Sequence, residues 1–224
     1  MPPTRWQAAS RWRAKPLTII ILIAGLWLFG SGEALLLQAN LGVAPWTVFA
    51  QGLTLHFPLS IGVATFITSV CVLLLWIPLR ERPGLGTIAN AVVIATSLQV
   101  MSEVIPEGTS FAVDLAMVIV GIVIIGIGSG FYLTTHLGPG PRDGWMTGIH
   151  VRTGWPVWVV RIGIEVTVLV IGWFLGGTVG LGTLLFAVFI GPAVGYGLLV
   201  AGHLGRSASA VAEPEDDVHP ELEA

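Results

Sequence analysis

Charge is scarce in this chain of 224 residues: Asp, Glu, Lys and Arg together make up 10%, where a soluble domain carries about a quarter. With 54% hydrophobic residues and a mean hydropathy of +0.86, a water-facing globule is excluded, and so is disorder outside short tails. There is one cysteine, Cys71, which excludes an internal disulfide and a Cys-based metal site. There is one lysine, Lys15, far from the glycine-rich stretch 121–130. That stretch is therefore not a Walker A loop; it sits in an apolar run and suits close helix packing. The five histidines, His56, His136, His150, His203 and His219, show no metal-binding spacing. No nucleophile–base pair and no cofactor motif is visible. The chain is expected to be no enzyme, to hold no metal or cofactor, and to bind no nucleic acid.

What is there instead is a series of long apolar runs. A membrane span needs about 20 predominantly apolar residues, and six stretches qualify: 17–39, 59–79, 85–105, 113–136, 156–175 and 179–201. The third carries Asn90, Thr96, Ser97, Gln99 and Ser102, which suits hydrogen bonding to other helices rather than contact with lipid. The basic residues are one-sided. With the N-terminus inside, Arg5, Arg11, Arg13, Lys15, Arg80, Arg82, Arg142, Arg152 and Arg206 fall in inner segments, Arg161 lies near the inner end of the fifth span, and the outer segments hold none. The positive-inside rule then places both termini in the cytoplasm. Trp46 and Trp173 are expected at the outer interface, and Trp76, Trp145, Trp155 and Trp158 at the inner one. The first apolar run is too long for a signal peptide and has no small-residue cleavage site after it.

The formal net charge of −3 hides a division. Residues 207–224 hold Glu213, Glu215, Asp216, Asp217, Glu221 and Glu223 and no Lys or Arg. A slightly basic body thus carries an acidic tail, read as a solvated terminus or as a contact for a basic protein partner.

The chain also repeats itself. Shifted by 96 residues without gaps, Gly84-Leu85-Gly86-Thr87 falls on Gly180-Leu181-Gly182-Thr183, Leu41-Gly42 on Leu137-Gly138, and Pro45 on Pro141. Gly25, Gly30, Gly32 and Gly52 fall on Gly121, Gly126, Gly128 and Gly148. At this glycine content chance gives about 1.4 coincident glycines over the 80 compared positions, and seven occur. Each repeat holds three spans, and an odd number turns the second copy upside down relative to the first. The expected fold is an all-α polytopic membrane protein. It has a basic cytoplasmic segment at 1–16, a first three-helix repeat at 17–105, a second, inverted repeat at 113–201 and an acidic cytoplasmic tail at 202–224.

Each repeat contains a segment too apolar for a surface loop and too short to span. Residues 41–53 carry Gly42, Pro45, Trp46 and Thr47; residues 137–149 carry Gly138, Gly140, Pro141, Arg142 and Asp143. Pro is favoured at the first helical position, and the preceding Gly permits a tight turn. Both segments read as a break followed by a half-helix, one entering from each face. Mirrored interruptions of this kind point to a solute site in inverted-repeat proteins.

The charges near these breaks are the candidate binding or gating residues. Arg142 and Asp143 fall in the first turn of the inner half-helix, where backbone N–H groups and Arg142 favour an anion. Asp143 pairs or orients Arg142, or binds a cation or proton; the plainer alternative is a solvated Arg142–Asp143 pair capping a turn. Glu165 lies nine residues into the fifth span, about 14 Å deep at 1.5 Å per residue, with Arg161 one turn before it. These two are a site or a self-satisfied structural pair. Glu33, beside Gly30, Ser31 and Gly32, faces another helix, as site or as helix glue. Two functions follow as expectations: a transporter or channel for a small solute or ion, anions included, and a non-transporting accessory protein that binds a protein partner.

The run Leu41-Gly42-Val43-Ala44-Pro45-Trp46, the segment Gly138-Pro139-Gly140-Pro141-Arg142-Asp143-Gly144 and the pattern Gly176-Gly177-x-x-Gly180-x-Gly182-Thr183 together resemble the YczE/YyaS/YitT family of bacterial membrane proteins, over about residues 20–200. The Gly-Pro-Arg-Asp-Gly segment is the most specific part. The resemblance implies a multi-pass protein of the bacterial plasma membrane and names no substrate. The family's first motif resembles Pro-Trp-Asp; this chain has Thr47 at the acidic position.

Overall fold

A computed structural model describes residues 2–206, and every regular element among them is an α-helix. In chain order these are α1 (Pro16–Gln38), α2 (Pro45–His56), α3 (Ile61–Leu74), α4 (Trp76–Leu79), α5 (Leu85–Val104), α6 (Phe111–Leu133), α7 (Pro141–Thr153), α8 (Val157–Phe174) and α9 (Leu181–Gly205). The α3 and α4 helices continue one another across Leu75. Pro78 lacks the N–H that would bond to Leu74, which accounts for the break. Counted as one, Ile61–Leu79 joins α1, α5, α6, α8 and α9 as six helices long and apolar enough to cross a membrane. The acidic tail expected at 202–224 lies, from 207 onward, outside the described residues.

Local sequence fixes where the helices start. Pro16, Pro45 and Pro141 take the first position of α1, α2 and α7, where a missing N–H leaves no hydrogen bond unmade. Ser60 and Ser110 accept from the N–H groups of Val63 and Val113, relieving donors that a helix cannot satisfy itself. The α5 and α9 helices begin with the same device. Thr87 Oγ1 accepts from the Gly84 N–H at 3.0 Å, and Thr183 Oγ1 from the Gly180 N–H at 3.3 Å.

The centre of the bundle is the crossing of α1 and α6, with α5 packed on the outside of α1 and α9 on the outside of α6. A Cβ on Gly25 would come 2.8 Å from the Gly128 carbonyl oxygen, and one on Gly32 would come 2.6 Å from that of Gly121. The backbones touch because these four positions have no side chain, as close membrane packing requires. The numbers rise along α1 as they fall along α6, so the two helices run antiparallel. Gly25 and Gly121, and Gly32 and Gly128, stand 96 residues apart.

The same offset recurs in the turns. Asn40 and His136 both have positive φ, at 52° and 58°, and Gly42 and Gly138 follow with 101° and 119°. A side chain on Gly42 would meet the Gly180 nitrogen at 2.5 Å, and one on Gly138 the Thr87 hydroxyl at 2.8 Å, so space and backbone conformation both demand glycine. The turns are tied reciprocally: the Gly182 N–H donates to the Leu41 oxygen at 2.7 Å, and the Gly86 N–H to the Leu137 oxygen at 2.8 Å.

One end of the bundle carries both described termini. The Arg5 N–H donates to the Gly205 oxygen at 2.8 Å, and the Ala8 N–H to the Thr135 oxygen at 2.9 Å. The Trp6 indole N–H reaches the Thr134 hydroxyl at 3.0 Å, and its ring is buried. The basic N-terminal segment is thus packed across this end rather than trailing from it.

The halves differ in one respect. The α3 helix packs on α5, where the Gly62 N–H donates to Gln99 Oε1 at 2.9 Å. Their counterparts α8 and α9 hardly touch, and Gly191 and Gly195 on α9 face open space.

Candidate functional site

The two half-helices begin deep in the bundle. At the end that carries the termini, the chain leaves α6, turns at His136 and dips to Pro141, where Gly140 sits beside Asn90. It then returns as α7, whose Gly148 lies against Leu79 and Glu81. The α2 helix does the same from the opposite end, with Gly52 against Leu175 and Gly172. Trp76 anchors α7: its ring covers Gly144, and its indole N–H donates to the Pro141 oxygen at 2.8 Å. A side chain at residue 144 would overlap that ring.

The first turns of α2 and α7 meet each other. The Arg142 guanidinium lies over the Trp46 ring, 5.0 Å from its centroid, and Trp145 closes on Trp46 edge-on at 6.4 Å. Glu33 of α1 joins both turns. Its Oε2 accepts from the Thr47 hydroxyl at 2.8 Å, and its Oε1 lies 3.6 Å from Arg142 Nη1. The Glu33 side chain is 1% exposed. A carboxylate so deeply buried is costly without a countercharge nearby, and Arg142 is the nearest, though at 3.6 Å it makes no hydrogen bond to Glu33. Asp143 turns away from this pair and accepts from the Tyr132 hydroxyl at 2.9 Å.

A cavity of about 210 Å³ lies against these turns. Arg142, Asp143 and Trp46 line one wall; Arg161 and Glu165 of α8 line another, paired at 3.0 Å one helical turn apart. Thr65 and Ser69 of α3, 96 positions before Arg161 and Glu165, line it as well. The Thr65 hydroxyl is buried without a hydrogen-bond partner among the described residues. Most of the remaining lining is apolar, including Phe29, Ile94, Phe186 and Ile190, with Asn90 and Ser129 as polar exceptions. The site therefore offers cationic and anionic groups and an apolar face within one small volume.

Four of the five charges expected from the sequence, Arg142, Asp143, Arg161 and Glu165, line this cavity, and the fifth, Glu33, stands behind Arg142. They belong to three different helices. Pro45, Trp46 and Gly140 also line the cavity, while Thr47 holds Glu33 and Pro141 accepts from Trp76. Gly42 and Gly138 act one step back, by making the turns that bring the half-helices in. Three expectations are corrected. Arg142 and Asp143 do not form a solvated pair: each has a separate buried partner, because the first turn of α7 splays successive side chains. Trp46 is not an interfacial anchor but is buried under Arg142. Trp76 is likewise buried, under α7, because the break at Leu75 turns it inward. Trp155, Trp158 and Trp173 do face outward, at 59%, 66% and 60% exposure. The third span behaves as its composition suggests: Ser97 donates to the Trp27 oxygen at 2.7 Å, and Gln99 binds Gly62 across helices. Tyr132 escapes sequence reasoning, since nothing marks which aromatic of an apolar span will meet a carboxylate eleven residues on. Ser129 could have been found, because it stands 96 residues from Glu33 and lines the same cavity.

Comparison with known proteins adds relatives but no activity. The family of unknown function DUF6198 matches residues 16–197. An uncharacterized protein of Haemophilus influenzae Rd is 41% identical over 204 residues, covering 91% of this chain and 94% of the relative. The uncharacterized membrane protein YczE of Bacillus subtilis is 33% identical over 189 residues, covering 84% of this chain and 85% of YczE. The uncharacterized protein YyaS of the same organism is 26% identical over 165 residues, covering 72% and 82%. No solved structure matches. With six spanning helices and these relatives, the chain is an integral membrane protein that belongs to the DUF6198 family and is a relative of bacterial YczE.

Proposed function

We propose that this protein is a small-solute transporter built from two inverted repeats, with its site in the cavity between the half-helices. The observation that carries the reading is the meeting of Trp46 with Arg142, two residues 96 positions apart that stack on one another. Contact between a residue and its own repeat counterpart lies on the axis relating the halves, and the antiparallel α1 and α6 suit a two-fold axis in the membrane plane. Broken helices that meet on such an axis form solute sites in inverted-repeat carriers.

The difference between the halves supports a carrier over a fixed pore. With α3 closed on α5 and α8 parted from α9, the halves are in unequal states. Exchanging those states would move access to the cavity from one side to the other. In that exchange Trp158, the counterpart of Gly62, would enter the groove at Gly191 and Gly195, the counterparts of Ala95 and Gln99. Arg142, Asp143, Arg161 and Glu165 act in binding and gating, with no covalent chemistry. The basic residues at the end carrying the termini favour a cytoplasmic location for it in the bacterial plasma membrane. Flux of neutral, cationic and anionic small solutes into proteoliposomes tests the reading. One solute class is expected to enter, and Arg142→Ala and Glu165→Gln to reduce its entry at least tenfold. Flux that both variants leave unchanged removes the site assignment.

A further inference from the structure

The geometry points to a short-chain monocarboxylate as the solute, bound through its carboxylate to Arg142 in place of Glu33; this rests on the transport reading above. Arg142 has five N–H donors in a planar fork suited to a carboxylate. None of them reaches an acceptor among the described residues within hydrogen-bond distance, since its nearest charged neighbour, Glu33 Oε1, stands off at 3.6 Å. Charge-assisted pairs close to about 2.7–2.9 Å when unconstrained. The Arg142 guanidinium lies over the Trp46 ring, and both side chains line the cavity. The Glu33 carboxylate has one oxygen committed to Thr47 and the other without a hydrogen bond. It therefore occupies the position of a carboxylate ligand without making a carboxylate ligand's bonds.

Three further features bear on the class. The N–H groups of Arg142 and Asp143, in the first turn of α7, have no backbone acceptor among the described residues, and a helix start with open donors favours an anion. The charges limit the solute to one carboxylate. Arg161 is held by Glu165 at 3.0 Å, so among the described residues Arg142 is the one cation of this site left to an incoming anion, and no cation remains for a second anionic group. The apolar wall of Phe29, Ile94, Phe186 and Ile190 meets the hydrocarbon body. A volume of about 210 Å³, near that of seven waters at about 30 Å³ each, keeps that body short.

Calorimetric titration of the full chain in nanodiscs with sodium acetate, butyrate, hexanoate and octanoate tests this, with butanol and butylamine as controls. Butyrate or hexanoate is expected to bind best and both controls not at all. Arg142→Lys keeps the charge but loses the fork, and is expected to weaken binding about tenfold, the weight of one charge-assisted hydrogen bond. Glu33→Gln keeps the bond to Thr47 but no longer competes for Arg142, and is expected to tighten binding by a similar factor. Thermal unfolding covers a loss of stability in that variant, since butyrate should raise its melting temperature more than that of the wild type. Weaker binding in both variants, with no larger thermal rise in Glu33→Gln, overturns the displacement of Glu33. Absence of carboxylate binding while another solute shows Arg142-dependent flux overturns the class and leaves the transport reading standing. Carboxylate binding with the two opposite shifts but no flux sustains the class and removes transport.

Discussion

Trp46 and Arg142, 96 positions apart, lie against each other, the guanidinium carbon 5.0 Å from the ring centroid. Had the halves been identical, two like residues would meet at this point. The sequence has made one an aromatic face and the other a cation, a pair that attracts. The Trp46 ring thus contacts Arg142 5.0 Å from its guanidinium carbon, and Glu33 lies 3.6 Å from Nη1. Loss of the ring is therefore expected to reduce solute flux. Trp46→Leu should lower it by roughly two- to thirtyfold, the equivalent of about 0.5–2 kcal/mol for a cation over a tryptophan, whereas Trp46→Phe should retain a larger part. Uptake into proteoliposomes checks this, and equal loss in both variants would argue against the stack.

The anchoring of α7 by Trp76 predicts an effect on stability. A Cβ at residue 144 would overlap the Trp76 ring, and overpacking of this kind costs about 1–3 kcal/mol. Gly144→Ala should lower the melting temperature in detergent by several degrees. Trp76→Phe, which removes the hydrogen bond to the Pro141 oxygen, should cost about 1 kcal/mol. An unchanged melting curve for Gly144→Ala would mean that α7 is not seated as described.

The open faces of Gly191 and Gly195 predict a variant that folds well and fails to work. No atom lies within 4 Å of a Cβ at either position, so Gly195→Leu fits the described state and improves helix propensity by under about 1 kcal/mol. It fills the groove that Trp158 would enter when α8 closes on α9. The expected result is a melting temperature no lower than that of the wild type, retained binding and flux reduced at least tenfold. Wild-type flux in this variant would show that the groove does not close during transport.

The basic residues around α1, α5 and the end of α9 predict cytoplasmic termini. Alkaline phosphatase fused after Arg206 should be inactive, and the same enzyme fused after Phe57 active. The reverse pattern would invert the membrane orientation.

Much of this arrangement was legible in the sequence because glycine and proline act through the backbone. Glycines that coincide at an offset of 96 residues fall at helix contacts and turns, and Gly42, Pro45, Gly138 and Pro141 marked α2 and α7 at the residues where they begin. The charges were legible as a set, being few in an apolar chain. Their pairing was not. Arg142 finds Glu33 across 109 positions rather than Asp143 beside it, because the depth to which α7 dips decides its neighbours and no local pattern encodes that depth. For the same reason Trp46 and Trp76 resembled interfacial tryptophans, although one lies under a guanidinium and the other under a glycine.

The central claim, that solute passes through the cavity between the half-helices, is tested most directly by a cysteine at residue 69. Ser69 of α3 lines the cavity, and Ser69→Cys exchanges one oxygen for sulfur. With Cys71 replaced by serine, the variant should be alkylated by N-ethylmaleimide and lose its flux, and saturating solute should protect both the thiol and the activity. Alkylation that leaves flux intact, or a rate of labelling indifferent to solute, would contradict the account.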